Sequence, residues 1–141
     1  MTTYTVTRSI AAPPHTVWAL LTDGPSWNEW NPTIVSFDGT IALGHKVKLV
    51  STVNPKRAFT LKVDEMEAPK RMVWSDGMPL GLFKGVRTYT LAMSGDGGTE
   101  FTMEESYSGL LSGLISKSIP DMTESFGQFA DGLKAAAEAG S

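Results

Sequence analysis

The chain has 141 residues, 41% of them hydrophobic and 19% charged, with a formal net charge of −3. These proportions suit one globular domain over residues 1–141 and argue against disorder or a membrane span, while singly scattered Lys and Arg residues offer no basic stripe to a nucleic acid. The absence of cysteine removes disulfides, thiolate metal sites and a cysteine nucleophile, and Met1–Val6, with neither a basic region nor an apolar run, points to the cytoplasm.

Tyr4, Val6, Arg8 and Ile10 alternate with Thr5, Thr7 and Ser9, so the first element is a strand over Thr3–Ile10. Ala11-Ala12-Pro13-Pro14 breaks it. From Pro14 the apolar positions switch to Val17, Leu20 and Leu21, a short helix that Asp23-Gly24-Pro25 ends. A second short helical turn follows around Ser26–Glu29, with Trp27 and Trp30 three residues apart, before Asn31-Pro32 extends the chain. Four short strands come next: Thr33–Asp38, Lys46–Thr52, Ala58–Glu65 and Arg71–Ser75. Asp38-Gly39, Gly44, Asn54-Pro55 and Ala68-Pro69 divide them. Asp76–Leu82 reads as a loop, apolar where loops are usually polar, and is either packed on its own domain or a flap at a cavity mouth. Two longer strands, Phe83–Met93 and Thr99–Ser108, flank the hairpin turn Ser94-Gly95-Asp96-Gly97-Gly98. An apolar, partly helical lead-in over Gly109–Lys117 then reaches a closing helix, Ile119–Glu138. Along that helix Met122, Phe126, Phe129 and Leu133 recur at three- and four-residue steps, Ser118 reads as its cap, and Pro120 sits near its first position. Gly127 and Gly132 each cost a helix interior about 1 kcal/mol relative to Ala, which points to close packing or to freedom of the helix to move.

One amphipathic helix over one face of a seven-stranded antiparallel sheet is an α+β arrangement, and a twisted sheet of that size curls and leaves a cavity beneath the helix. Alternation turns Phe59, Leu61, Val63, Met72 and Trp74 inward, then Tyr89, Leu91 and Met93, then Phe101, Met103 and Tyr107. Arg87 and Glu105 fall in the same inward phase. Pairing Met93 with Phe101 sets Tyr89 opposite Glu105 and Arg87 opposite Tyr107, with Arg87 and Glu105 on a diagonal that long side chains bridge. Such a pair is either a structural ion pair near the rim or a polar anchor that orients a ligand carboxylate or carbonyl on Arg87. For acid/base chemistry the candidates are Glu105, Tyr89 and Tyr107. The candidate ligand contacts are Trp30, Phe59, Trp74, Met78 and Phe83 from the earlier elements, Arg87, Tyr89, Glu105 and Tyr107 from the last two strands, and Met122 and Phe126 from the helix. His15 and His45 lack a Cys, Asp or Glu at ligand spacing, so neither a metal nor a cofactor is expected. Ser112 lacks the setting of a nucleophile elbow.

Five segments together resemble one family. They are Ala12-Pro13-Pro14-His15-Thr16-Val17-Trp18, Trp27-Asn28-Glu29-Trp30-Asn31-Pro32, Gly85-Val86-Arg87-Thr88-Tyr89-Thr90-Leu91, Glu105-Ser106-Tyr107-Ser108-Gly109, and the closing helix with Leu133-Lys134. Over essentially the whole length they are similar to the START/Bet v 1-like (SRPBCC) superfamily and, within it, to the bacterial polyketide cyclase/dehydrase-like proteins. The resemblance implies a helix-grip fold: a seven-stranded curved antiparallel sheet wrapped around a long C-terminal helix, with two short helices between strands 1 and 2 and an apolar cavity inside. For function it implies binding of an apolar or amphipathic small molecule, lipid or polyketide-like; alternatively a cyclase/dehydratase-type enzyme in the same cavity, or a co-chaperone-like interaction module. The ring-hydroxylating oxygenases of the superfamily bind iron through histidines and a carboxylate, and two histidines are too few for that branch. A hydrophobic small molecule is thus the expected partner, with no nucleic acid and no membrane span; the oligomeric state does not follow from the sequence.

Overall fold

A computed structural model describes residues 2–53, 55–78, 80–116 and 121–140. The first strand, β1 (Thr2–Ile10), leads into α1 (Pro14–Leu21), a single 3-10 turn at Gly24–Ser26 and the one-turn helix α2 (Trp27–Trp30). Six strands follow: β2 (Ile34–Asp38), β3 (Lys46–Ser51), β4 (Ala58–Glu67), β5 (Arg71–Met78), β6 (Phe83–Met93) and β7 (Thr99–Ser108). The short α3 (Ser112–Ser116) and the long α4 (Thr123–Ala139) close the chain. All strands join one antiparallel sheet in the order β1-β7-β6-β5-β4-β3-β2, a meander whose last strand is flanked by the first. Register shifts at Ile34/Ser36 and Val63/Glu65 bend the strands that carry them. The sheet is therefore a half-barrel gripping α4, the helix-grip arrangement.

Three differences from the sequence reading bear on the site, beside shifts of one or two residues at other strand and helix ends. β5 continues through Asp76 and Gly77 to Met78 instead of stopping at Ser75. Gly77 is no break here: it pairs with Lys84, and a Cβ on it would strike the Phe83 carbonyl, so the glycine serves a close strand approach. The second is the helix start. α4 begins at Thr123, where Asp121 Oδ1 accepts the Thr123 N–H at 2.9 Å, so Asp121 acts just before the helix and not within its first turn. The cap at Ser118 and the proline at Pro120 lie outside the described residues. The third is the hairpin register. Ser94 N–H donates to the Gly98 carbonyl at 3.0 Å, and Asp96 Oδ1 accepts from the Ser94 hydroxyl at 2.6 Å and the Gly98 N–H at 3.0 Å. That compact turn closes on the pair Met93–Thr99, which places Leu91 opposite Phe101, Tyr89 opposite Met103 and Arg87 directly opposite Glu105. Met93, at the strand end beyond the helix, is 73% exposed and not inward.

α4 is pinned along β1. Arg8 Nε donates to Asp131 Oδ1 at 2.7 Å, Lys134 Nζ to the Ser9 carbonyl at 2.5 Å, and the Ala11 N–H to Glu138 Oε2 at 2.9 Å. Gly132 answers for close packing: a Cβ there would run into the Trp30 carbonyl. Around Phe129 of α4 the interior is an aromatic block. Trp27 stacks on Trp74 with centroids 5.5 Å apart and planes 12° apart, and Phe129 meets Trp27 and Trp30 edge-on at 5.2 and 5.3 Å. Tyr89 packs on Trp74 at 5.3 Å, and Phe101 lies parallel to Phe129 at 6.3 Å.

Candidate ligand-binding cleft

The inward side chains fall into rows across the sheet. Met103, Tyr89 and Met72 form one row and are fully buried; Glu105, Arg87 and Trp74 form the next; Tyr107, Gly85 and Asp76 form the row at the end of the sheet where the β3–β4 and β5–β6 turns lie. At that end the aromatic block gives out. A partly open cleft of about 710 Å3 takes its place, a size within the ordinary range for small-molecule sites. Its apolar walls are Leu49, Phe59 and Leu61 from β3 and β4, Phe83 from β6, and Met122, Phe126 and Phe129 from the helix end of the chain. Trp27 closes it on the side of the packed half.

Its polar end is a connected group. Arg87 Nε donates to Glu105 Oε2 at 2.5 Å, Arg87 Nη1 reaches the Tyr89 hydroxyl at 3.5 Å, and the guanidinium lies over the Phe126 ring at 5.2 Å. The Tyr107 hydroxyl donates to Glu105 Oε1. Both members of the ion pair are nearly covered, each side chain 15% exposed. Burial opposes the Arg87 charge, but Glu105 and Tyr89 outweigh it and keep the guanidinium protonated well above its usual range. Burial pushes the Tyr89 phenol up to about 12, with Arg87 pulling the other way. Tyr107 is raised further, by burial and then by the neighbouring Glu105 carboxylate. Asp76 is raised as well, by burial first and Glu105 second, against the opposing pull of Arg87 and Arg57. Gly85, between Asp76 and Tyr107 in the end row, leaves the space that Asp76 fills: a Cβ there would stand 2.6 Å from Asp76 Oδ1 and 3.6 Å from the Tyr107 ring.

Of the residues singled out from the sequence, Phe59, Phe83, Arg87, Glu105, Tyr107, Met122 and Phe126 stand together on the cleft. Trp30, Trp74 and Tyr89 lie in the packed layer behind it, where Trp30 Nε1 donates to Ser26 Oγ at 3.1 Å and Tyr89 approaches Arg87. The Met78 side chain lies outside what is described. Among the described residues the Trp74 indole N–H is buried with no partner. Of Trp27 and Trp30, which the sequence offers alike for the cavity mouth, Trp27 lines the cleft. Several lining residues are not singled out by the sequence reading, Leu49, Arg57 and Asp76 among them. Asp76 escapes it because Gly77 reads as a turn, although Met72, Trp74 and Asp76 continue one period-two series that carries the signal. Among the described residues no helix is long and apolar enough to cross a membrane.

The family model for polyketide cyclase / dehydrase and lipid transport matches residues 1–138. No curated protein matches the chain. Among solved structures, protein MLL2253 from Mesorhizobium loti is similar with a TM-score of 0.74 and 22% identity over 99% of both chains. The Aha1 dimer from Colwellia psychrerythraea has a TM-score of 0.74 at 18% identity over 99% of this chain and 98% of that one. Ara h 8.0201 has a TM-score of 0.66 at 16% identity over 98% of both. At such identities the likeness is one of fold.

Proposed function

Because the chain belongs to the polyketide cyclase / dehydrase and lipid transport family, we propose that it binds an apolar or amphipathic small molecule in the cleft between α4 and the sheet. The observation that carries this reading is the cleft itself: about 710 Å3 with apolar walls from Leu49, Phe59, Leu61, Phe83, Phe126 and Phe129, and with polar side chains on the same lining, the Arg87–Glu105–Tyr107 group among them. Apolar surface left against water is unfavourable by roughly 25 cal/mol per Å2, so an apolar guest of matching size gains that free energy on entry. The polar side chains then orient the guest. Native mass spectrometry of the purified protein tests the reading, with binding of an apolar fluorescent dye as the second measurement. A retained small molecule, or saturable dye binding that Phe126→Trp blocks, is the expected result; a protein that carries nothing and binds no dye overturns it.

A second reading, acid/base catalysis in the same cleft, draws on the Tyr107–Glu105 hydrogen bond, which joins a proton donor to an acceptor at the cleft wall. In that reading Glu105 takes up a proton and Tyr107 supplies one, with Tyr89 reaching the pair through Arg87. Loss of product formation in Glu105→Gln with ligand retention unchanged supports it. A variant that still turns over at the parental rate removes it.

A further inference from the structure

The charged groups at the polar end are unequally engaged. Arg87 already serves Glu105 through Nε at 2.5 Å, meets Tyr89 through Nη1 at 3.5 Å, and lays its guanidinium on Phe126 at 5.2 Å. Glu105 is filled in turn by Arg87 and by the Tyr107 hydroxyl. A ligand carboxylate would have to displace Glu105 from the guanidinium, leaving one carboxylate of the two stranded at a poorly hydrated end. It would also face Asp76. That residue lines the same cleft, half-buried, and no side chain of another described residue donates a hydrogen bond to it. Arg57, the other cation on the cleft, makes no ion pair among the described residues and sits over the Phe59 ring at 5.0 Å. The cleft thus presents two carboxylates and two guanidiniums; Arg87 is engaged by Glu105 and Arg57 is exposed, and the carboxylate without a side-chain donor is Asp76. The absence of a side chain on Gly85 is what lets the Asp76 carboxylate lie where it does.

Resting on the reading that the cleft binds an amphipathic small molecule, we infer that the head of that molecule is a hydrogen-bond donor, a primary ammonium above all, seated on Asp76, and that the cleft selects against carboxylate heads. An ammonium supplies a charge and three N–H donors, which no side chain of another described residue brings to Asp76. A hydroxyl supplies one donor and ranks second. Burial and the nearby Glu105 both work against the ionised form of Asp76, and a bound cation relieves both.

Three probes with one chain length and three heads test this: dodecylamine, dodecanol and dodecanoate, titrated calorimetrically into the whole protein below their aggregation concentrations. Dodecylamine should bind tightest, about tenfold or more ahead of dodecanoate, the ratio that one charge-assisted hydrogen bond gives. In Asp76→Asn that preference should collapse, with dodecylamine losing about tenfold and more than dodecanol loses. Should Asp76→Asn not fold, the ranking in the unaltered protein and in Asp76→Ser decides. Equal affinities for the three heads, or dodecanoate tightest, overturn this inference while the binding reading stands. Binding of none overturns both.

Discussion

The two halves of the interior lie on one face of one sheet, a single row of residues apart, and they are built on opposite terms. Around Phe129 of α4, Trp27, Trp30, Trp74, Tyr89 and Phe101 interlock with ring centroids about 5–6 Å apart. At the other end the same strands supply Asp76, Gly85, Arg87, Glu105 and Tyr107, and the space between them and the helix stays open. The change occurs at the row Glu105–Arg87–Trp74, which has an ion pair at one side and a packed indole at the other. One half thus holds the sheet and helix together, which frees the other from close packing and lets it keep charges that a solid core would reject.

The comparison yields four predictions. Phe101→Ala, in the solid half, should lower stability by about 3–5 kcal/mol, read from urea unfolding, because its neighbours cannot collapse into the gap. Arg87→Met at the boundary should cost roughly 3 kcal/mol by leaving Glu105 covered and uncompensated. The double variant Arg87→Met/Glu105→Leu should cost less than the single one, and a double-mutant cycle measures the difference. Additive losses would mean that the pair is not coupled. Phe59→Ala, in the hollow half, should cost about 1 kcal/mol or less while weakening dye binding, since its ring already faces the opening. If Phe59→Ala destabilises as much as Phe101→Ala, the contrast between the halves is broken. The smallest effect is on Asp76 and has the opposite sign. A raised pKa means that the folded state holds this proton more tightly than the unfolded chain, so the contribution is full below the ordinary carboxylate range and is lost as pH rises through the folded value. Asp76→Asn should therefore raise Tm near neutral pH, with the gain disappearing in acid, where the carboxyl is protonated in both states. A lower Tm for the variant at neutral pH would sink this prediction.

The solid half is the more legible in the sequence, because alternating apolar residues and the helical stripe Phe126, Phe129, Leu133 identify faces without any knowledge of partners. Faces also survive a register shift of two residues, which is why the inward phase of Arg87 and Glu105 can be read from the chain although their direct opposition cannot. The opposition depends on how Ser94 and Asp96 fold the turn, a matter of side-chain hydrogen bonds that glycine content alone does not convey. Asp76 is hidden for a related reason. A glycine beside it suggests a turn, and only the contact of Gly77 with the Phe83 carbonyl shows that the glycine admits a neighbouring strand.

Trp27 lines the cleft at its packed side, 1% exposed, and lies nearly parallel to Trp74, 5.5 Å away. Two indoles so close and so aligned share their electronic excitation, so their near-ultraviolet circular dichroism reports the angle between them and not merely the presence of each. A guest that presses on Trp27 alters that angle or the polarity around one ring. The wall of the cleft is thereby an optical gauge of its own occupancy, readable without label or mutation.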